Sequence, residues 1–427
     1  MSVVCFENLE ARELFDALPL DVSSVLTPLG PELRIEGTDG NDSIAIARQG
    51  RGVFILSGTG WSMFFDGPAN SIRIDGLDGN DRISVRANIW TPVAIFGGAG
   101  NDTLTGGTGD DRIYGGTGND AISGAGGNDV IITLGGGRDR TTGGAGLDSF
   151  WLDARTRDAA TDLSEEESAA GALHRISSYA PGSYTDPELT PAAVGYSNFS
   201  DSPLFSRLGP QLEDIAQGQV GDCFALAALG AIAKTDPQII RQSMVDLGDG
   251  TYVVQFIRDD ASIFVRVDAD LPVNAQGNLA YAQLGYQQSI WVGIFEKAYA
   301  IYRLGTADYS SIDGGFPGEI FEDLGLPSQS IFNDSSNTPQ LLAQVRDAWQ
   351  AGQAVTIGTV PDIDDPAIVA NHSYVLTSVQ TGPADEIESL TLHSPWPVEA
   401  TNTPDGNLVL SAGNATSIIW FAVIGSP

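Results

Sequence analysis

The 427 residues carry 55 acidic against 21 basic side chains, a net charge of −34, and 42% of them are hydrophobic. That balance argues against nucleic acid or an anionic membrane as a partner and for cations, calcium first, while the length calls for two or more units with real cores. The two cysteines, Cys5 and Cys223, one near the terminus and one in the middle of the chain, argue against a disulfide framework, and no apolar run reaches the roughly 20 residues of a membrane span.

Residues 1–32 lack the basic and continuously apolar regions of an ordinary secretory signal. The segment ENLEARELFDAL within them resembles the short LExRxL-type stretch at the start of some exported bacterial proteins, which implies export. From about residue 33 short segments rich in Ile, Val and Phe alternate with Gly/Asp/Asn turns, and two turns are nearly identical, GTDGNDSIA at 37–45 and GLDGNDRIS at 76–84. A tandem array begins at Gly97 as GGAGNDTLT, GGTGDDRIY, GGTGNDAIS and GAGGNDVII. After the inserted Thr133 it continues as LGGGRDRTT and GGAGLDSFW, ending at Trp151.

The physics of this nine-residue period is local. Glycines permit the tight turn, an Asp at the sixth position offers a hard oxygen, and the eighth position (Leu104, Ile113, Ile122, Ile131, Phe150) points inward from a very short strand. One turn cannot bury its face alone, but stacked turns can once a cation neutralises the aspartate rows. The pattern resembles the RTX calcium-binding β-roll, and the resemblance implies Ca2+ ligands at Asp102, Asp111, Asp120, Asp129, Asp139 and Asp148. The fifth repeat departs from it, with Thr141 at the inward position and Arg138 and Arg140 beside the ligand.

Residues 152–202 turn polar and acidic, then rich in Pro, Gly, Ser and Tyr, and read as a linker with one short helix in which His174 is a solvated side chain. The remainder, 203–427, is organised around Gln217-Gly-Gln-Val-Gly-Asp-Cys223 and the Ala/Leu-rich run that follows. A cysteine at a helix head, after two glycines and an aspartate able to serve as N-cap, sits where free N–H groups and the helix dipole favour a thiolate and lower its pKa. Downstream come a strand pair at 251–267, an apolar helix at 291–303, a helix from Thr338 to Gly352 and an alternating strand opened by His372. The chain is helical first and strand-rich last.

Six ordered pieces resemble the calpain-type cysteine protease core, a papain-like fold: QGQVGDCF at 217–224, VDADLP at 267–272, WVGIFEKAYAIYR at 291–303, GGFPGEIFEDLG at 314–325, NHSY at 371–374 and SPW at 394–396. The resemblance implies Cys223 as nucleophile, His372 as base 149 residues downstream, and Gln217 with the Cys223 N–H as oxyanion donors. It places Ser394 where such cores carry an asparagine. A serine hydroxyl fixes the imidazole less firmly, which implies reduced activity.

The predicted fold class is multidomain, an N-terminal all-β calcium β-roll (parallel β solenoid) followed by a C-terminal α+β papain-like two-lobe cysteine protease fold. The predicted function is a secreted, calcium-binding cysteine endopeptidase acting on protein or peptide, without nucleic acid or a transmembrane segment and compatible with cell-surface association. Two alternatives stand beside it: an inactive protease-like scaffold or adhesion protein whose calcium roll is the working part, and an enzyme that cleaves only its own 152–203 stretch.

Overall fold

The computed structural model describes residues 20–426 apart from 59, 335, 366–367 and 397–405, so the export-type segment before residue 20 lies outside the described residues. The chain divides into two compact units, Met1–Ser178 and Tyr179–Pro427.

In the first unit successive short strands alternate between two eight-stranded sheets. One sheet stacks Ser71–Asp75, Val93–Ala99, Arg112–Thr117, Val130–Thr133, Ser149–Asp153 and Leu173–Ile176 in parallel. The other stacks Ser43–Gln49, Arg82–Val85, Thr103–Thr105, Ala121–Gly126, Arg140–Ala145 and Ala159–Ala160. The result is a solenoid of about six turns over residues 72–176. Register sets its core, because Ile95, Ile113, Ile131 and Phe150 fall opposite one another in one sheet and Ile83, Leu104, Ile122 and Thr141 in the other. Each buried aliphatic of this stack is worth roughly 1.5–3 kcal/mol. Thr141 is tolerated among them because its hydroxyl donates to the Ala159 carbonyl at 3.2 Å.

Three sequence-derived boundaries move. The β-rich unit begins before residue 33, with the hairpin Asp21–Thr27 and Gly30–Glu36 joined to the first sheet. It also runs past 151, since Leu173–Ile176 pairs with Ser149–Asp153 and the short helix Glu165–Ala169 belongs to the same unit. His174 is therefore not solvated: it is 2% exposed and stacks on Trp151 with ring centroids 3.8 Å apart. The rest of the supposed linker belongs to the second unit, where Gly195–Asn198 pairs with Asp270–Val273 and Asp186 accepts from the buried Lys297 ammonium at 2.5 Å. Lys297 also reaches Asp268 (2.6 Å) and the Asp270 carbonyl (2.8 Å). A buried ammonium needs these partners, so the polar segment is held in place by the core it covers.

The second unit has a helix-rich half and a sheet half. The helix Cys223–Thr235 and the wholly buried helix Trp291–Tyr302 pack into one apolar cluster with the three-stranded sheet of Met244–Asp246, Thr251–Arg258 and Ala261–Asp268. The other half is an antiparallel six-stranded sheet in the order Ser328–Phe332, Ile419–Gly425, Ala354–Thr359, Ser373–Thr381, Ile387–His393, Asn407–Ser411. Helix Thr338–Gln350 lies on it over a separate cluster. The amino half of Ser373–Thr381 is buried and the Cys223 helix packs against this strand, which brings a helix head and a histidine-bearing strand together. No single described helix is long and apolar enough to cross a membrane.

Candidate functional site

The repeat aspartates form two hydrogen-bonded rows along the solenoid. In one, the Asp81 N–H donates to Asp102 Oδ1 (2.7 Å), the Asp102 N–H to Asp120 Oδ1 (2.8 Å) and the Asp120 N–H to Asp139 Oδ1 (2.7 Å). In the other, the Asp111 N–H donates to Asp129 Oδ1 and the Asp129 N–H to Asp148 Oδ1, both at 2.8 Å. Asn80, Asn101 and Asn119 build a shallower row beside the first. Two side chains end the aspartate rows, Asp158 accepting from the Asp139 N–H and Glu167 from the Asp148 N–H. Glu167 is fixed by a reciprocal capping box with Ser164.

Each of these carboxylates uses one oxygen for the row except Asp111, whose Oδ1 accepts from the Val93 N–H at 2.8 Å. The second oxygens of Asp102, Asp120, Asp129, Asp139 and Asp148 are buried and have no hydrogen-bond partner among the described residues, whereas that of Asp111 accepts from the Gly107 N–H at 2.6 Å. Burial pushes Asp129 up to about 8, Asp111, Asp139 and Asp148 to about 7 and Asp120 to about 6, with Asp102 raised as well. Orphaned hard oxygens of this kind fit a calcium ion, which would supply the missing positive charge. Among the described residues no three acidic, His or Cys side chains converge, so such an ion would need backbone carbonyls of the turns as its other ligands. In the fifth repeat Asp139 keeps its place in the row, and Arg138 and Arg140 are exposed.

In the second unit Cys223 opens its helix and is partly exposed. The loop before it is held by close backbone contacts. The Gln217 N–H donates to the Pro395 carbonyl (2.8 Å), the Gln219 N–H to Ala280 (2.9 Å), and a Cβ on Gly218 would lie 2.5 Å from the Ala280 oxygen. Asp222 occupies the N-cap position but makes no side-chain cap. Its buried carboxylate faces Glu296, which burial and the Asp222 charge hold well above the usual carboxylate range.

The expected lowering of the thiol pKa is reversed. Desolvation pushes Cys223 up to about 11, and the hydrogen bonding of Ser373 and the Phe224 N–H only partly offsets it against the Asp222 charge. Helix-end charge is a matter of about 1 kcal/mol, less than removing a thiolate from water costs. Ser373 follows His372 directly, so its action on the sulfur places the histidine-bearing strand beside the nucleophile. The imidazole, 4% exposed, is pushed down to about 4 by burial, which makes thiol plus neutral imidazole the favoured resting pair.

His372 Nε2 lies 3.3 Å from Ser394 Oγ, and the Trp396 N–H donates to the same hydroxyl at 3.2 Å. The Trp396 ring sits 5.1 Å from the imidazole, covering this contact, while His393 turns to Asn407 instead. Gln217 is placed differently from expectation: its Nε2 donates to the Val220 carbonyl at 2.8 Å and its side chain is buried. Ser373 and Asp81 went unrecognised from sequence. A signal existed for Asp81, in the repeated DGND turns, but none for Ser373, whose contact is tertiary.

Compared with known proteins, residues 196–404 match the calpain family cysteine protease and residues 96–131 match four copies of the RTX calcium-binding nonapeptide repeat. A calpain-type cysteine protease of Zea mays is 28% identical over 197 residues, 43% of this chain and 9% of the relative. The calpain-2 catalytic subunit of Bos taurus is 28% identical over 234 residues, 49% of this chain and 32% of the relative. A calpain of Caenorhabditis elegans is 28% identical over 199 residues, 43% and 25%. The chain thus spans about a third or less of the length of these curated relatives.

Proposed function

The chain joins a calpain-family cysteine protease domain to calcium-binding RTX repeats, and from that premise we propose that it is an exported cysteine endopeptidase cleaving protein or peptide outside the cell. The observation that carries this reading is the contact between the helix head bearing Cys223 and the strand that positions His372 against Ser394. His372 takes the Cys223 proton as sulfur attacks the peptide carbonyl, then returns it to the leaving amine, and water releases the acyl-enzyme. The oxyanion is held by the Cys223 N–H and the second amide hydrogen of Gln217. Ser394 and Trp396 keep the imidazole oriented and dry. Calcium folds the repeats at the six aspartates Asp102, Asp111, Asp120, Asp129, Asp139 and Asp148, and RTX repeats of this kind are typical of secreted bacterial proteins.

The scaffold alternative draws on the high thiol pKa and the inward turn of the Gln217 amide. A thiol-directed peptide warhead separates the two. The endopeptidase takes up one label per chain at Cys223, and Cys223→Ala takes up none; a wild-type chain that stays unlabelled with and without calcium is a scaffold. The serine at position 394 gives a finer expectation. Ser394→Asn adds a longer, planar acceptor for the imidazole N–H and raises kcat roughly threefold to tenfold at unchanged KM. A lower kcat would mean that the pocket around His372 is built for the hydroxyl.

A further inference from the structure

The loop 313–316 is exposed and runs along the head of the nucleophile's helix. The Gly314 N–H donates to the Gly221 carbonyl at 2.9 Å, and a Cβ on Gly315 would lie 2.7 Å from the Phe224 ring, so the loop packs directly on residues 221–224. Asp313 opens it with an exposed side chain. A Cβ on Gly221 would collide with Asp313 Oδ1, so the missing side chain at 221 is what lets this carboxylate lie on the main chain two residues before Cys223.

Nothing in the protein neutralises that charge. Among the described residues the Asp313 carboxylate accepts no hydrogen bond and joins no ion pair, and its charge acts unfavourably on the buried Asp222. Arg303 reaches the same loop but is committed elsewhere. Its Nη1 donates to the Ser311 and Gly314 carbonyls (2.8 and 2.7 Å), and its Nε and Nη2 donate to Glu319 (3.0 and 2.8 Å). The segments that meet around Cys223, 216–224, 313–318, 371–374 and 394–396, contain no Lys or Arg. A carboxylate set on the site, beside another acid and with no cation of the protein's own, is a charge left for a ligand to neutralise.

The chemistry decides which part of a substrate meets it. For the Cys223 sulfur to reach the scissile carbonyl carbon while the Cys223 N–H holds its oxygen, the residue carrying that carbonyl has to lie over residues 221–223. A long side chain on that residue can reach Asp313. We propose that Asp313 is a specificity-determining residue that selects a cationic side chain, arginine before lysine, on the residue whose carbonyl is attacked. A guanidinium offers the carboxylate two parallel N–H bonds where an ammonium offers a point charge, and an acidic side chain there would meet uncompensated like charge. The assignment rests on the cysteine endopeptidase reading.

Two measurements on the full-length chain at saturating calcium test it: mapping by mass spectrometry of the bonds cut in an unfolded protein, and kinetics on quenched peptides alike except for arginine, lysine, citrulline or glutamate at that residue. Wild type is expected to cut mainly after arginine and lysine. Its kcat/KM for the arginine peptide is expected to exceed that for the citrulline peptide, which keeps the shape and loses the charge, by about tenfold, and the excess shrinks in high salt. Asp313→Asn is expected to bring this ratio to about one, mainly through KM. Asp313→Lys is expected to prefer the glutamate peptide to the arginine peptide, a gain that misfolding cannot produce. Equal cleavage of the arginine and citrulline peptides by wild type, or an arginine preference that survives Asp313→Asn, overturns the assignment and leaves the endopeptidase reading standing. A wild-type chain that cuts none of these substrates overturns both.

Discussion

His372→Ala is expected to lower kcat/KM for unfolded protein by about a thousandfold or more at saturating calcium, since it removes the group that takes the thiol proton and later protonates the leaving amine. The pH profile of the wild type carries independent information. Thiol with neutral imidazole and thiolate with imidazolium hold the same number of protons, so the competent state is bounded by two macroscopic steps whichever form attacks. Burial sets those steps far apart, with His372 pushed down to about 4 and Cys223 up to about 11. Activity therefore rises as pH climbs through the lower step, stays flat from about pH 5 to about pH 10, and falls beyond. A narrow bell centred near pH 6–7 would show that the imidazole is solvated in the working enzyme and that the resting pair described above is not the reacting one.

Removing calcium is expected to unfold the repeat unit of the full-length chain at pH 7–8, read as loss of amide-exchange protection over residues 72–153. The second unit, with its own apolar clusters, keeps its protection. The reason is the desolvated aspartates. Their folded-state pKa values lie above the unfolded value: Asp129 at about 8, Asp111, Asp139 and Asp148 at about 7, Asp81 and Asp120 at about 6. For an acid shifted upward the folded state holds the proton more tightly, so this contribution to stability is complete below the unfolded pKa near 4 and is lost as pH rises through about 6 to 8. In chelator the roll is accordingly more protected at pH 5 than at pH 8. Calcium at pH 8 restores it by taking the place of the protons, and binding at pH 7 releases protons into the buffer. Protection that is unchanged by chelator at pH 8 would mean that apolar stacking alone holds the solenoid.

How much was legible in advance follows the range of the interactions concerned. The nine-residue period is a local rule, each turn repeating the same glycine, aspartate and inward apolar residue, so the solenoid, its inward positions and its aspartates could be read directly. The order of helices, strands, Cys223 and His372 was legible for the same reason, since helix heads and alternating strands are written in neighbouring residues. The stretch 152–202 misled because polar composition describes a surface, and a surface segment can still be pinned by one buried partner, as Lys297 pins Asp186. His174 misled likewise: its stacking partner Trp151 stands more than 20 residues away.

What the sequence determined by itself was the kind of structure each segment forms, because hydrophobic period, turn chemistry and capping act within a few residues. Only the tertiary structure decided the charge states and the extent of the sites. It closed the space around Cys223 until desolvation outweighed the helix end, turned the Gln217 amide onto Val220, and carried the carboxylate row back to Asp81. Each of these depends on how much water remains around a polar group, and that is set by chain segments distant in sequence folding over it.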